Sequence, residues 1–379
     1  MVAVKKYEIR ADARKVDSRP DVIVSWLQND YGQLGRAAES IAHALKDTGL
    51  ARQVAYIEPN TPATGQPTLD ASDDRGLHVY RRRGPEVPAD EVADAVIQTS
   101  QLKDPILLNC GVAEANWWFH HAFAPRCSTT ALVTHDILHL WPNMAPAQSA
   151  RLARTRQMLI RSSEHVIGLS EGAIADVPGA TYVGHGCDSG LESDSVRSLA
   201  EPSDLARIPH PRALYFGALS VRIDAGAIAA LASSGVHVVL VGFAPAPPVA
   251  ELIETHPNVH FLGARTPAES PPYLRHCDVG IVPHTDEPFT WSMEPHKVYN
   301  YSCAGIRSVL LNCACPPALT DMVSAVRNTK EFVKATRAAL SRGPLSDSDQ
   351  DYARTFTWAS VAGRILDAVG VPSAVSNAA

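Results

Sequence analysis

Two doubly wound α/β domains facing a cleft are the fold class this sequence predicts. Three observations carry the prediction. Short apolar stretches alternate with helix-period stretches twice over, first from residue 22 and again from residue 212, which is the pattern of parallel strands joined by crossover helices. A polar, proline-containing segment, 189–210, separates the two runs as an interdomain linker does. The chain of 379 residues is long enough to bury two cores. The expected boundaries are 1–195 for the first domain and 205–350 for the second.

In the first domain, 22–26 (VIVSW) reads as a strand, 29–35 as a loop, 36–46 as a helix ending before Gly49, and 54–57 as the second strand. This strand–loop–helix–strand opening lacks the Gly-x-Gly-x-x-Gly dinucleotide pattern. Residues 60–76, rich in Pro, Thr, Asp and Gly, read as a surface excursion. A strand at 77–83, a helix at 91–101 and a short central strand at 106–109 (ILLN) follow. Trp117, Trp118 and Phe119 form a helical aromatic cluster, expected in the core or along a cleft wall.

The strand 131–134 ends in His135 and Asp136. The carboxyl end of a strand in an open parallel sheet is where chemistry sits. The spacing His135-Asp136-x-x-His139 has a zincin-like rhythm, but that motif needs a helix and a Glu. Helix capping is the plain alternative for Asp136. A helix at 147–164 carries Arg151, Arg154, Arg156 and Arg161. It reads as a solvated face or as a peripheral contact with an anionic membrane surface. A strand at 166–169 and a short one at 181–183 lead into Gly184-His185-Gly186-Cys187-Asp188.

The second domain opens with the strand 212–219, turning at Gly217, with Arg222 beyond it. A helix at 224–233 and a strand at 236–241 ending before Gly242 come next, then strands at 259–263 and 278–283 with His284 at the carboxyl end. The stretch 285–311 is a loop, a helix opening near Pro295 and closing at Gly305, and a strand. Lys297 and Asn300 share one face of that helix. A helix N-terminus with a lysine in its first turn and a loop of backbone donors suits a diphosphate; an ordinary unit with a solvated lysine fits the same letters. Residues 316–343 read as broken helix and 351–369 as a final helix.

Composition excludes several classes. Apolar residues make up 45% and charged residues 20%, with net charge −6, so nothing advertises nucleic-acid binding. No apolar run reaches the ~20 residues of a membrane span, and the N-terminus lacks a signal-peptide core. Seven scattered cysteines predict a reduced, cytoplasmic protein. Cys313-x-Cys315 has no second pair at zinc spacing, so no metal site is expected.

The pattern Ser292-x-x-x-x-Lys297-x-x-Asn300-Tyr301-x-x-x-Gly305, between two apolar strands, resembles the donor-binding helix of GT-B glycosyltransferases of group 1. Ser292-Met293, Lys297 and Asn300 resemble in particular the xanthan-type glucuronosyltransferases. Gly184-His185-Gly186-Cys187-Asp188 is similar to the element that closes their first domain, and the strand with Gly217-Ala218-Leu219 to the one that opens the second. The resemblance implies two Rossmann-like domains and a final helix, 351–371, that packs back on the first. It implies transfer of a sugar, hexosyl or uronosyl, from a nucleotide-diphosphate donor such as a UDP-sugar to a sugar, lipid-linked or small-molecule acceptor. The nucleotide sugar is a co-substrate, and no other cofactor is implied. Gly217, Arg222, Gly242, Ser292, Met293, Glu294, Lys297 and Asn300 would hold the donor. Asn29, Asp30, Gly32, His135, His185 and His284 would line the cleft. The large retaining branch carries two Glu where this chain has Ser292 and Asn300, so an inverting transfer with Asp136 as base is the expectation. A nucleotide-sugar epimerase of the same fold and a non-catalytic sugar-nucleotide binder are the alternatives.

Overall fold

The computed structural model describes residues 18–27, 37–62, 64, 66–74, 77–84, 86–188 and 190–373. It contains two sheets. The first is built from β1 (Asp21–Ser25), β2 (Gln53–Thr61), β3 (Thr68–Asp74), β4 (Leu77–Arg83), β5 (Ile106–Asn109), β6 (Thr129–Thr134), β7 (His165–Gly168) and β8 (Thr181–Tyr182). Their order is β3-β4-β2-β1-β5-β6-β7-β8, and only β3 runs antiparallel to its neighbour. The second holds β9 (Arg212–Phe216), β10 (His237–Val241), β11 (Val259–Gly263), β12 (Val279–Pro283), β13 (Ser308–Leu311) and β14 (Val323–Val326). It is parallel throughout, in the order β11-β10-β9-β12-β13-β14. That is the doubly wound order, with its reversal between β9 and β12, and ligands bind outside the carboxyl ends of strands at such a point. The two Rossmann-like domains expected from the alternation are therefore present.

The central strands are legible because both faces are covered. β1 is buried along its whole length, and β5, β12 and β13 likewise, so they read as continuous apolar runs. Edges are harder to read. The stretch expected as a surface excursion contains β3, whose sequence TLDASDD has no apolar alternation. It pairs with β4 through polar and charged partners, Asp70 opposite Arg81 and Thr68 opposite Arg83, as a protected edge does. β14 was hidden within the expected helical stretch 316–343; the helix there is Thr329–Arg342. Likewise the expected loop 285–295 contains a short helix, Pro288–Ser292. The aromatic cluster divides: Phe119 is 4% exposed and Trp118 57%.

The helix Trp358–Ala368 joins the first domain's core. Trp358, Val361, Ala362, Ile365 and Leu366 pack with Val22, Val24, Ile41 and Leu45. Full burial of an aliphatic side chain is worth about 1.5–3 kcal/mol, so this crossing is a structural member rather than a loose tail. Its entry needs a glycine: a Cβ on Gly186 would lie 2.4 Å from the Trp358 nitrogen. The Cys187 N–H then donates to Phe356 O at 2.7 Å.

Arg156 departs from the reading of its helix as a basic solvated face. Helix Pro146–Ser162 turns Arg151, Arg154 and Arg161 outward, but Arg156 is 1% exposed. Its guanidinium holds Asp176 with two bonds of 2.7 and 2.8 Å and donates to Ala173 O. A buried arginine is tolerated when its fork is satisfied in this way.

Candidate functional site

The carboxyl ends of β9 and β10 bring Gly217 and Gly242 together. Gly217 has φ +136°, and a Cβ on Gly242 would fall 1.8 Å from the Gly217 carbonyl oxygen. Their own N–H groups donate within the sheet, to Val241 O and Gly263 O. The glycines thus contribute space and not anion donors. Lys297 fills the edge of that space: a Cβ on Gly217 would meet its Cε at 3.4 Å and its Nζ at 3.8 Å. The Nζ also stands 5.1 Å from the centre of the Tyr215 ring.

Lys297 begins a helix of only seven residues, Lys297–Cys303. The N–H groups of Val298 and Tyr299 already reach Pro295 O and His296 O. An anion placed here would therefore meet the side chain more than the helix end. Burial lowers the Lys297 amine to about 8, and the charge of Arg222 pushes the same way, while Asp136 opposes them. Arg222 lies between the domains, its guanidinium 4.9 Å from the ring of Trp141 and 5.5 Å from that of Phe289, with Met293 sulfur at 3.2 Å. His284, fully buried, sits 3.1 Å from the Cys313 sulfur. Burial first, then Lys297 and Arg222, drives its imidazole far toward the neutral form. Burial raises the Cys313 thiol to about 12. The pair is therefore uncharged behind two cations.

Across the cleft, β6 delivers His135 and Asp136 at its carboxyl end. His135 Nε2 is 3.3 Å from Asp136 Oδ2, and the His135 ring packs near Trp26. A cavity of about 30 Å³ opens beside them, lined also by Cys110, Gly111 and Thr134. The next residue links the domains, since the Ile137 N–H donates to Ser292 Oγ at 3.3 Å.

The remaining donor candidates face this joint. Ser292 O accepts from Ser170 Oγ at 2.9 Å. Asn300 and Asp188 exchange two bonds, 2.8 and 2.6 Å. Glu294, 3% exposed, accepts from Tyr182 and Tyr299. Burial raises its carboxyl to about 7, against the pull of those hydroxyls. His185 is 4% exposed with both ring nitrogens lacking a partner among the described residues. It packs against His296, Tyr299 and Trp358, and burial holds it neutral. Gly217 and Lys297 thus lie together, within electrostatic reach of Arg222 and Asp136, while Ser292, Glu294 and Asn300 bind domain to domain. Asn29, Asp30 and Gly32 lie outside the described residues. Sequence reasoning passed over Trp141, Tyr182, Asp188 and His296. Asp188 and His296 lay inside motifs; Trp141 and Tyr182 had no local signal.

Among the described residues, no group of three His, Cys, Asp or Glu side chains is placed to hold a metal ion. Asp347, Asp349 and Asp351 alternate along one short helix, where Asp347 and Asp351 are exposed and pair with Arg197 and Asp349 is half-buried. No helix among the described residues is long and apolar enough to cross a membrane.

Comparison with known proteins defines the class. The chain superposes on solved two-domain structures along nearly its whole length. α,α-Trehalose-6-phosphate synthase from Burkholderia multivorans matches with TM-score 0.64 at 11% identity, covering 93% of this chain and 98% of that one. Anabaena Alr3699/HepE in complex with UDP matches with TM-score 0.64 at 15% identity, covering 93% and 99%. AviGT4, a glycosyltransferase involved in avilamycin A biosynthesis, matches with TM-score 0.58 at 14% identity, covering 92% and 96%. The fold is the GT-B fold. Residues 211–342, which span the second sheet, match the family described as glycosyl transferases group 1. A search of curated protein sequences finds no match.

Proposed function

We propose that the chain is a glycosyltransferase that moves a sugar, hexosyl or uronosyl, from a UDP-sugar to an acceptor hydroxyl. The observation that carries this is a coincidence of place. The group 1 match, 211–342, contains the close approach of Gly217, Gly242 and Lys297 at the reversal of the second sheet. One neighbour in fold, Anabaena Alr3699/HepE, was solved in complex with UDP and, separately, with UDP-glucose, which supports the choice of nucleotide. A diphosphate fits the local charge. Lys297 and Arg222 repel one another there, and an anion between them would relieve both.

The proposed reaction is one displacement. The acceptor oxygen forms a bond to the anomeric carbon as the bond from that carbon to the diphosphate oxygen breaks. The electron pair leaves with the diphosphate, where Lys297 and Arg222 stabilise it. The acceptor proton passes to Asp136, on the opposite face, and the configuration inverts. Tyr182–Glu294–Tyr299 and Asp188–Asn300 would hold the two faces in register. Acceptor entry from the first domain, a cytoplasmic setting and contact of Arg151, Arg154 and Arg161 with an anionic membrane surface belong to the same proposal.

A panel of UDP, GDP, UDP-glucose and UDP-glucuronate, titrated by calorimetry and by thermal shift, tests it. A ligand at 100 times its Kd adds about 2.7 kcal/mol of stability, which such a scan resolves. Saturable binding of UDP and at least one UDP-sugar is expected. A protein that no nucleotide diphosphate stabilises would end this reading.

A further inference from the structure

Near the outer edge of the first sheet lies a buried cation that no described carboxylate pairs with at contact distance, although the charge of Glu86 reaches it. Arg82, near the carboxyl end of β4, is 8% exposed. Among the described residues its guanidinium makes no hydrogen bond and no ion pair, and its Nε is buried without a partner. Phe119 lies against it, its ring centre 4.3 Å from the guanidinium carbon. Burial lowers its pKa to about 10, so it keeps its charge at neutral pH. The adjacent arginines do have carboxylates, Glu58 for Arg81 and Asp70 for Arg83. Glu86 and Glu91 are exposed, and neither forms an ion pair with Arg82.

Arg82 lines a cavity of about 260 Å³ between the β3–β4 edge and the helix Ala89–Thr99. Leu69, Val87 and Val92 give it apolar walls, Asn60 adds an amide, and Glu91 stands among the lining residues. Buried charges in proteins are paired. Arg83, paired with Asp70, lines it as well, so two guanidiniums and one exposed carboxylate stand around apolar walls, and a concave apolar site with a few placed polar groups is the composition of a small-molecule pocket.

We propose that this pocket binds an anionic group, carboxylate or phosphate monoester, carried on an apolar or pyranose body, and that the group is the far end of the acceptor. Two facts favour the acceptor. The pocket opens at the same carboxyl edge of the sheet that carries Asp136. β4 and β6 are four strand spacings apart, roughly 19 Å at 4.7–4.9 Å per strand, a span of several sugar rings. The acceptor assignment rests on the transferase reading; anion binding at Arg82 does not.

Phenyl phosphate and benzoate serve as probes for the two anion types, with UDP as the control. They are titrated against the full chain and against Arg82→Met, which keeps an apolar stem over Phe119 and removes the charge. Saturable binding of at least one organic anion to the wild type is expected, weakened at least tenfold in Arg82→Met, with UDP affinity unchanged. Absence of saturable binding by either anion, or equal binding to the variant, overturns the pocket. Should Arg82→Met not fold, the Arg82 Nε–H resonance of 15N-arginine-labelled wild type decides: a shift that saturates with the probe supports the site, and an unmoved resonance overturns it. UDP that fails to bind beside an organic anion that does would overturn the transferase reading and the acceptor assignment while leaving the pocket standing.

Discussion

The two domains share a construction and differ in what their clefts present. The second offers cations at a point where glycines let the backbone close up, Lys297 and Arg222 around Gly217 and Gly242. The first offers a carboxylate–imidazole pair, Asp136 and His135, at a strand end. The family match covers the second domain and stops at residue 211. Physics accounts for the asymmetry. A nucleotide diphosphate presents the same charge to each domain of this fold and asks for close backbone approach at a strand end. An acceptor is met by side chains on the ends of strands and on loops, which can change without altering the sheet. On the proposed reading, the donor face would be shared across the family and the acceptor face particular to this chain.

That division can be broken most sharply at Asp136. Asp136→Asn keeps size and most hydrogen bonding but takes no proton, so kcat should fall roughly 10²–10⁴-fold with UDP affinity intact. Near-normal turnover would reduce Asp136 to a turn residue, and a product with retained anomeric configuration by NMR would remove the base altogether.

The donor face is next. Lys297→Met should weaken UDP binding by roughly 10–100-fold, the worth of a hydrogen bond to a charged group, and leave the domains folded. Its amine is lowered to about 8 by burial. As pH rises through that value the free protein loses the charge, and UDP affinity should decline in the wild type and stay flat in the variant. Stability moves the other way. Between pH 8 and the unfolded value near 10.5, the unfolded chain binds the extra proton, so this group makes stability rise with pH there. Calorimetric titrations at several pH values distinguish these effects; a pH-independent Kd in the wild type would contradict the role given to Lys297.

A smaller effect tests the joint between the faces. Glu294 is raised to about 7 from 4.5 by burial, so the native state holds its proton when the unfolded state has lost it. Stability from this group is fully present below about pH 4.5 and is lost as pH rises toward 7. Glu294→Gln should flatten that part of the Tm profile; an unchanged slope would assign it to other groups. The least effect is expected at the surface. Replacing Arg151, Arg154 and Arg161 with Gln should leave turnover unchanged and abolish any flotation with anionic liposomes at low salt, a screened attraction. Wild-type protein that does not float leaves these arginines as a solvated face.

Local rules carried most of the architecture. Apolar runs located the buried parallel strands, since a strand covered on both faces has one pattern available to it. Gly217 and Gly242 were visible at strand ends for the same reason, and Lys297 because it follows a strand at the distance of one loop. The edges escaped because β3 and β14 lack that coverage. What only the tertiary structure decided is where each polar side chain finds its partner. Asn300 reaches Asp188, and Glu294 reaches Tyr182, each 112 residues away in sequence. Arg156 forms an ion pair with Asp176, while Arg82, an arginine of the same chemistry, has no such pair among the described residues and lies beside a cavity. Periodicity reports which face of an element is buried, because burial repeats with the backbone. It cannot report what a charge meets there, because that depends on elements the chain brings back from far along its length.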